Sequence, residues 1–296
     1  MSRKPFQNIT VLKGGISAER DVSLESGATI AGGLRAAGYT VEEIDVTSRE
    51  FALSEKTDAV FIALHGTFGE DGGVQKILEE KGIPFTGADS EASRVAFDKY
   101  LTDVQLRAAG VPVPDCELIR TGDTPSMTPP VAVKPPRQGS SVGCSLVFDE
   151  AGYPAALADA WKYSDDILIQ RFIPGREFTV GIVDRDILPA VEIIPESGWY
   201  DYAAKYKSDA TRYVVPAELD AATAQRISDL ALRTFDALGA RGFGRVDFRM
   251  NPAGELYVLE LNTIPGFTAH SLLPKAAAAA GIPLPDLCDR IIRTAG

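Results

Sequence analysis

The stretch that decides the fold reads Gly242-Phe-Gly-Arg-Val-Asp-Phe-Arg-Met250, then Asn251-Pro-Ala-Gly254, then Glu255-Leu-Tyr-Val-Leu-Glu-Leu-Asn262. Two runs of strand-forming residues flank four turn-forming residues, which predicts an antiparallel hairpin with a four-residue loop. With that loop length, the pairs expected to face each other are Met250 with Glu255, Asp247 with Val258, and Arg245 with Glu260.

Side chains alternate between the two faces of a strand, so this register divides the hairpin into an apolar and a polar face. The predicted apolar face carries Val246, Phe248, Met250, Tyr257, Leu259 and Leu261. The opposite face gathers Arg245, Asp247, Glu260 and Asn262. Two carboxylates and an amide are oxygen ligands that suit Mg²⁺, which often takes one or two carboxylates plus substrate phosphates. The alternative is a solvated strand face with a salt bridge to Arg245.

The composition is that of an ordinary soluble globular protein. The chain has 296 residues, which predicts about two domains by length, and a net charge of −11. That charge argues against a nucleic-acid or anionic-membrane surface, which needs clustered Lys and Arg. Three cysteines without a CxxC pair, together with two histidines, make a structural zinc site improbable. With no signal peptide or membrane-spanning stretch in the sequence, we expect a cytoplasmic protein.

The first part of the chain alternates strand and helix, which predicts a parallel sheet. The predicted elements are strands at Ile9–Leu12, Thr40–Asp45 and Ala59–Leu64, and a helix at Asp21–Ala37. Glu19 lies in the first strand-to-helix turn, a position that favours ligands. The alternative for Glu19 is a first-turn carboxylate that stabilises the helix dipole. His65 follows the third strand. Neither a GxGxxG nor a P-loop motif is present.

The middle of the chain offers the parts of a nucleotide site. A helix predicted at Ala92–Ala109 carries Lys99, and a strand at Val131–Lys134 ends in Lys134. The loop that follows has Gly139, Ser140, Ser141 and Gly143, whose N–H and hydroxyl groups can contact phosphate oxygens. Its alternative is a flexible polar hairpin loop. A strand at Ile167–Gln170 then leads into an apolar connector, which suits an adenine ring.

These segments together resemble the D-alanine–D-alanine ligases of the ATP-grasp superfamily, from about Ile9 to the C-terminus. The resemblance is carried by six segments in the family's order: Gly14-Gly-Ile-Ser-Ala-Glu-Arg-Asp-Val-Ser23, His65-Gly…Gly69-Glu-Asp-Gly72, Val133-Lys-Pro-Pro-Arg-Gln-Gly-Ser-Ser-Val-Gly143, Gly175-Arg-Glu-Phe-Thr-Val180, Ala204-Lys-Tyr206 and Leu259-Glu-Leu-Asn-Thr-Ile-Pro-Gly-Phe-Thr-Ala-His-Ser271.

The resemblance implies an α/β protein with the ATP-grasp fold and three α/β domains, with ATP bound between the central and C-terminal ones. The expected domains are an N-terminal Rossmann-like domain at 1–95, a central ATP-grasp domain at 96–180 and a C-terminal ATP-grasp domain with the metal site at 181–296. It also implies a homodimer that converts D-alanine and ATP to D-alanyl-D-alanine through a D-alanyl phosphate, for peptidoglycan synthesis.

The resemblance also assigns residues to roles. One or two Mg²⁺ ions, with Mn²⁺ as a substitute, would be held by Asp247, Glu260 and Asn262. The expected ATP contacts are Lys99, Lys134, Gly139, Ser140, Ser141, Gln170, Arg171, Phe172, Ile173, Glu177 and Trp199. The expected D-alanine contacts are Glu19, His65, Arg245, Ser271 and Leu272. Ser140 and Tyr206 would form a triad with Glu19 that closes a mobile loop around Lys205.

Four positions depart from the commonest family pattern: Gln138, Gln170, Ala203 and Phe267. Gln170 stands where an acid often receives the adenine amino group, and its amide oxygen can accept the same bond. The nearest rival function is a D-alanine–D-lactate or D-serine ligase; the lactate ligases tend to carry His at the position of Tyr206. Wider rivals are another ATP-grasp carboxylate–amine ligase and a non-catalytic ATP-binding module.

Overall fold

The N-terminal part of the protein is a parallel three-stranded sheet flanked by helices. The computed structural model describes residues 5–196 and 211–296. The elements of this part are β1 (Asn8–Gly14), α1 (Arg20–Ala36), β2 (Thr40–Val46), β3 (Ala59–Ile62) and α2 (Gly73–Glu80). The strand order is β2-β1-β3, and both pairings are parallel, as the alternating pattern predicted.

The helix predicted at Ala92–Ala109 is instead two helices, α3 (Ser90–Phe97) and α4 (Lys99–Ala108). The break lies at Asp98, which is extended and whose carboxylate accepts hydrogen bonds from the N–H groups of Tyr100 and Leu101. This is an N-cap, since it satisfies N–H groups that a helix start leaves without partners. Lys99 therefore begins a helix.

The central sheet is antiparallel and has one apolar and one polar face. Its elements are β4 (Cys116–Arg120), β5 (Val131–Lys134), β6 (Ser145–Val147), α5 (Tyr153–Ala160) and β7 (Asp166–Arg171), with strand order β4-β7-β5-β6. Val131, Val133 and Ile169 pack with α5 in one core. The alternate residues Ala132, Lys134 and Gln170 point to the opposite face, because Ala132 pairs with Gln170.

The third sheet contains the hairpin and is the largest. Its strands are β8 (Arg176–Val183), β9 (Asp186–Ile187), β10 (Val191–Ile194), β11 (Arg212–Val214), β12 (Phe243–Met250) and β13 (Leu256–Asn262). The main strand order is β11-β10-β8-β12-β13, and β9 pairs with β8. The helix α6 (Ala221–Ala237) packs on it through Ile227, Ala231 and Phe235. The closing helices α7 (Leu272–Ala279) and α8 (Leu284–Ile292) pack into the core of the N-terminal sheet.

The expected domain division at residues 95 and 180 stays a prediction. Residue 95 lies within α3, residue 180 lies within β8, and the change from the central to the largest sheet falls between Arg171 and Arg176. Among residues 5–196 and 211–296, no helix is long and apolar enough to span a membrane.

The register predicted for the hairpin is wrong by one residue at the loop, where Met250 pairs with Leu256 instead of Glu255, and by a second residue beyond a β-bulge in β13. The observed pairs are Met250 with Leu256, Phe248 with Val258, Asp247 with Glu260, and Arg245 with Asn262. One extra residue, Leu259, lies between the partners of Phe248 and Asp247. Asp247 therefore faces Glu260 directly, where the sequence predicted Val258.

The shift at the loop and the bulge together decide which side chains are buried. Val246, Phe248 and Leu261 face the core as predicted, but Leu256 and Val258 join them instead of Tyr257 and Leu259. Leu259 lines a cavity on the opposite side of the sheet.

Candidate active site

Two cavities meet where the three sheets come together, and they share a wall. The first is lined by residues of all three parts of the chain, among them Glu19, His65, Gly139, Arg245, Asn262, Ser271 and Leu272. The second is lined by Lys134, Ser141, Gln170, Arg171, Phe172, Ile173, Glu177 and Asp247, among others. Lys99, Gln138, Ser140 and Glu260 line both cavities. Gly139, expected at the nucleotide, lines the first cavity.

Glu19 joins the N-terminal sheet to the glycine–serine loop. It is the N-cap residue of α1, but its carboxylate makes no capping bond and instead accepts a hydrogen bond from the Ser140 hydroxyl. A Cβ added at Gly66 or at Gly139 would lie 2.7 Å from Glu19 Oε2. Glycine at both positions therefore leaves room for this carboxylate. Ser140 adopts a left-handed backbone with φ of 51°, which is uncommon for serine and typical of functional sites.

His65 is buried beside the first cavity, and its ring is oriented by contacts at both nitrogens. Its Nε2 lies 3.2 Å from the Ser26 hydroxyl, and its Nδ1 lies 3.5 Å from Glu70 Oε1. The Ser26 oxygen also accepts the backbone N–H of Phe267 at 3.0 Å. This pattern favours a tautomer with the proton on Nδ1, since the hydroxyl can donate to Nε2 and Glu70 can only accept when ionised.

Two lysines border the second cavity and differ in their electrostatic surroundings. Lys99 Nζ lies 3.1 Å from Glu260 Oε2 and donates to the Gln138 carbonyl at 2.9 Å. Burial alone would lower the pKa of Lys99, but the nearby negative groups, Glu260 foremost, together more than offset this effect and raise the pKa. Burial, reinforced by the nearby Lys99 ammonium, lowers the pKa of Lys134. An anionic ligand here would stabilise the charged form of both lysines.

The hairpin brings the expected metal ligands together. Arg245 forms a bidentate ion pair with Asp247 at 2.9 and 3.0 Å, and Thr179 donates to Asp247 Oδ1 at 2.5 Å. Asp247 and Glu260 are directly opposite. The described ranges 5–196 and 211–296 contain no group of three His, Cys, Asp or Glu placed to hold a metal. Two carboxylates and the Asn262 amide nevertheless fit Mg²⁺, which completes its shell with water and substrate phosphates.

The connector after β7 is fixed by Arg249, a residue that no sequence pattern predicted for the site. Arg249 Nε donates to the Ile173 carbonyl at 3.0 Å, and its Nη1 donates to Glu177 at 2.9 Å. Its guanidinium also lies 5.4 Å from the centre of the Phe172 ring. Arg249 lines the second cavity. Arg249 therefore orients the apolar connector that is expected to contact adenine and the Glu177 carboxylate that is expected to contact ribose.

The amino end of α7 opens onto the first cavity. Ser271 is its N-cap residue, and the Ser271 oxygen accepts the Thr268 N–H at 2.8 Å instead of capping its own helix. Backbone N–H groups at a helix start attract anions, so this end suits a carboxylate. Three expected site residues, Trp199, Lys205 and Tyr206, lie outside the described residues.

The second cavity lies between two sheets and is bordered by two lysines and a pair of facing carboxylates. This is the arrangement of an ATP-grasp ligase. The family model described as D-ala D-ala ligase C-terminus matches residues 106–293, and the corresponding N-terminus model matches residues 47–88. The chain therefore belongs to the D-alanine–D-alanine ligase family.

Individual relatives agree with this assignment over nearly the whole chain. The D-alanine–D-alanine ligase of Syntrophotalea carbinolica is 44% identical over 300 residues, covering 99% of this chain and 98% of its own. The Bacillus anthracis D-alanine–D-alanine ligase solved in complex with ATP has a TM-score of 0.87 and 30% identity, covering 97% of each chain. VanG, a D-Ala:D-Ser ligase from Enterococcus faecalis, has a TM-score of 0.86 and 28% identity, covering 97% of this chain and 99% of its own. The predicted fold class and family are confirmed.

Proposed function

We propose that this enzyme joins two molecules of D-alanine to D-alanyl-D-alanine in the cytoplasm, with conversion of ATP to ADP and phosphate, as a step of peptidoglycan synthesis. The observation that carries this proposal is the wall shared by the two cavities. A nucleotide in the second cavity and a carboxylate substrate in the first would meet at Lys99, Ser140 and Glu260.

The first step makes a carboxylate reactive enough to be attacked by an amine. An oxygen of the first D-alanine attacks the γ-phosphorus of ATP, the bond to the β-phosphate oxygen breaks, and ADP leaves. Glu19 would bind the ammonium group of this D-alanine, and His65 would line its site. Lys99 and Lys134 would neutralise the phosphates, which is the main contribution that a protein makes to phosphoryl transfer.

The second step forms the peptide bond. The free amine of the second D-alanine attacks the acyl carbon, and the tetrahedral intermediate expels phosphate, which takes up the proton that the nitrogen loses. Arg245 and the backbone N–H groups at Ser271 and Leu272 would hold the second carboxylate and the developing oxyanion. Such donors contribute roughly 3–4 kcal/mol each in other acyl-transfer sites.

Asp247, Glu260 and Asn262 would hold Mg²⁺, or Mn²⁺ in its place, beside the triphosphate. The ion would supply charge neutralisation at the transferred phosphoryl group. Arg245 and Lys99, which balance these carboxylates here, would turn towards the substrates. Trp199, Lys205 and Tyr206 would complete the base site and the loop over it, and we infer a homodimer from the family alone.

The proposal is tested by following phosphate release with D-alanine labelled with ¹⁸O in its carboxyl group. A D-alanyl phosphate intermediate transfers one labelled oxygen to the phosphate that leaves, so labelled phosphate is expected. L-alanine, D-serine and D-lactate serve as comparison substrates. Release without label would refute the acyl phosphate, and release that does not depend on D-alanine would refute the function. A clear preference for D-serine or D-lactate as second substrate would favour the rival ligases.

A further inference from the structure

A buried carboxylate lies behind the nucleotide-side cavity and has no role in the proposed reaction. Asp103, on the first turns of α4, is 1% exposed. Its Oδ2 accepts a hydrogen bond from Gln170 Nε2 at 2.9 Å, between residues 67 positions apart in the chain. Gln170 is 2% exposed and lines the second cavity. Asp103 therefore contacts Gln170 from behind the cavity wall, while Gln170 itself lines the cavity expected to bind the base.

The two neighbours of Gln170 fix which way its amide points. Lys134 Nζ donates to Gln170 Oε1 at 2.7 Å, and an ammonium group can only donate. An ionised carboxylate can only accept, so Asp103 must face the NH₂ group. An amide between these partners has one orientation, with its oxygen towards Lys134 and the cavity. Lys134 is also expected to bind phosphates, whereas the contact with Asp103 is independent of the nucleotide.

An amide with its oxygen fixed in this direction distinguishes purines by the group at position 6. Adenine carries an amino group there, which can donate to the oxygen. Hypoxanthine and guanine carry a carbonyl, which would place two acceptors together. An amide that can rotate to exchange its oxygen and its NH₂ group can bind either kind of base, because it can present an acceptor or a donor.

Stability alone does not account for a carboxylate at this place. Burial raises the pKa of Asp103, although the charge of Lys134 opposes this shift. Burial and the same carboxylate raise the pKa of the neighbouring Cys116 thiol to about 11. An asparagine would offer Gln170 the same acceptor oxygen without a buried charge, and burying a charge costs more than burying an amide.

We propose that Asp103 is a specificity-determining positioning residue, which holds the Gln170 amide oxygen towards the nucleotide and so selects ATP over 6-oxopurine triphosphates. This inference rests on the proposed nucleotide site. Asp103 makes no contact with the nucleotide itself and acts through Gln170.

The test compares binding of ATP and inosine 5′-triphosphate, which differ in the ring only at position 6 and its N1 proton, by calorimetry without D-alanine. Asp103→Asn allows the amide to turn over, and we expect the ratio of ATP to inosine triphosphate affinity to fall about fivefold. That change corresponds to roughly 1 kcal/mol, one neutral hydrogen bond. Gln170→Met should lower the ratio as well, and adding Asp103→Asn to it should have no further effect.

Asp229→Asn is the matched control, since Asp229 accepts from Gln225 Nε2 at 2.8 Å in an exposed pair on α6. An unchanged ratio in Asp103→Asn would assign the orientation to Lys134 alone and overturn the proposal. A further fall in the double variant would also overturn it, because Asp103 would then act independently of Gln170. Failure of the ligase function appears separately, as nucleotide binding without D-alanine-dependent release of ADP.

Discussion

Glu260→Gln is the sharpest test of the hairpin, because it should separate function from folding. Glu260 lies near two charges of opposite sign: Lys99, whose Nζ is 3.1 Å away, and Asp247, its partner directly across the hairpin. With an effective dielectric constant near 20, the attraction to Lys99 is about 5 kcal/mol. Opposed side chains in a sheet lie ~5 Å apart, which gives a repulsion from Asp247 of about 3 kcal/mol.

Removing the charge cancels both effects, so the variant should lose only about 2 kcal/mol in its free energy of unfolding. Its activity should fall far more, on the order of 100-fold, because a neutral amide binds Mg²⁺ more weakly than the carboxylate that it replaces. Urea unfolding gives the first quantity, and ADP release over a range of Mg²⁺ concentrations gives the second. Raising the Mg²⁺ concentration should recover part of the activity.

Glu255→Gln is the control for this experiment. Glu255 lies at the far end of the same hairpin, where it bonds to Asn251 and Tyr257, and an amide oxygen can accept the same bonds. We expect its Mg²⁺ dependence to match that of the unaltered enzyme. If Glu260→Gln also kept that dependence, the metal role of the hairpin would be refuted. A variant that failed to fold would contradict the electrostatic balance.

Three further substitutions have defined outcomes. Asp103→Asn should stabilise the protein at neutral pH, because the raised pKa of the Asp103 carboxyl means that its ionisation is disfavoured in the folded state. This gain in stability should vanish when the pH falls below the ordinary carboxyl range, where Asp103 is protonated in both states. Urea unfolding at neutral and at acidic pH measures both effects. Ser140→Ala removes the bond to Glu19, worth about 1.5–3 kcal/mol for a charged partner, and should raise the KM for D-alanine in steady-state assays. Asp98→Ala removes the cap of α4 and the partner of Arg137, and calorimetry should show a loss of about 1–2 kcal/mol.

The sequence predicted the parallel sheet and the antiparallel hairpin, because their patterns are local. Alternating strands and helices required the parallel pairing of β1 with its neighbours, and glycine and asparagine marked the hairpin loop. The break at Asp98 was readable in principle, since an aspartate before a new helical turn is a cap signal. It was missed because the helical residues on both sides form one continuous pattern.

The contacts that finish the site could not be predicted from one sequence. Asp103 and Gln170 are far apart in the chain, and no local pattern relates them. The same holds for Arg249, which contacts Glu177 at a distance of 72 positions. The roles of Trp199, Lys205 and Tyr206 stay predictions.

The bulge at Leu259 explains how one strand serves both a core and a polar site. Strict alternation would place Leu256, Val258, Glu260 and Asn262 on a single face. A hairpin without a bulge would therefore bury the two polar groups against α6 or expose the two apolar ones. The extra residue shifts the alternation by one, so Leu256 and Val258 stay in the core while Glu260 and Asn262 turn to the cavities. The bulge thus joins the packing of this sheet to its chemistry, as bulges beside active sites commonly do.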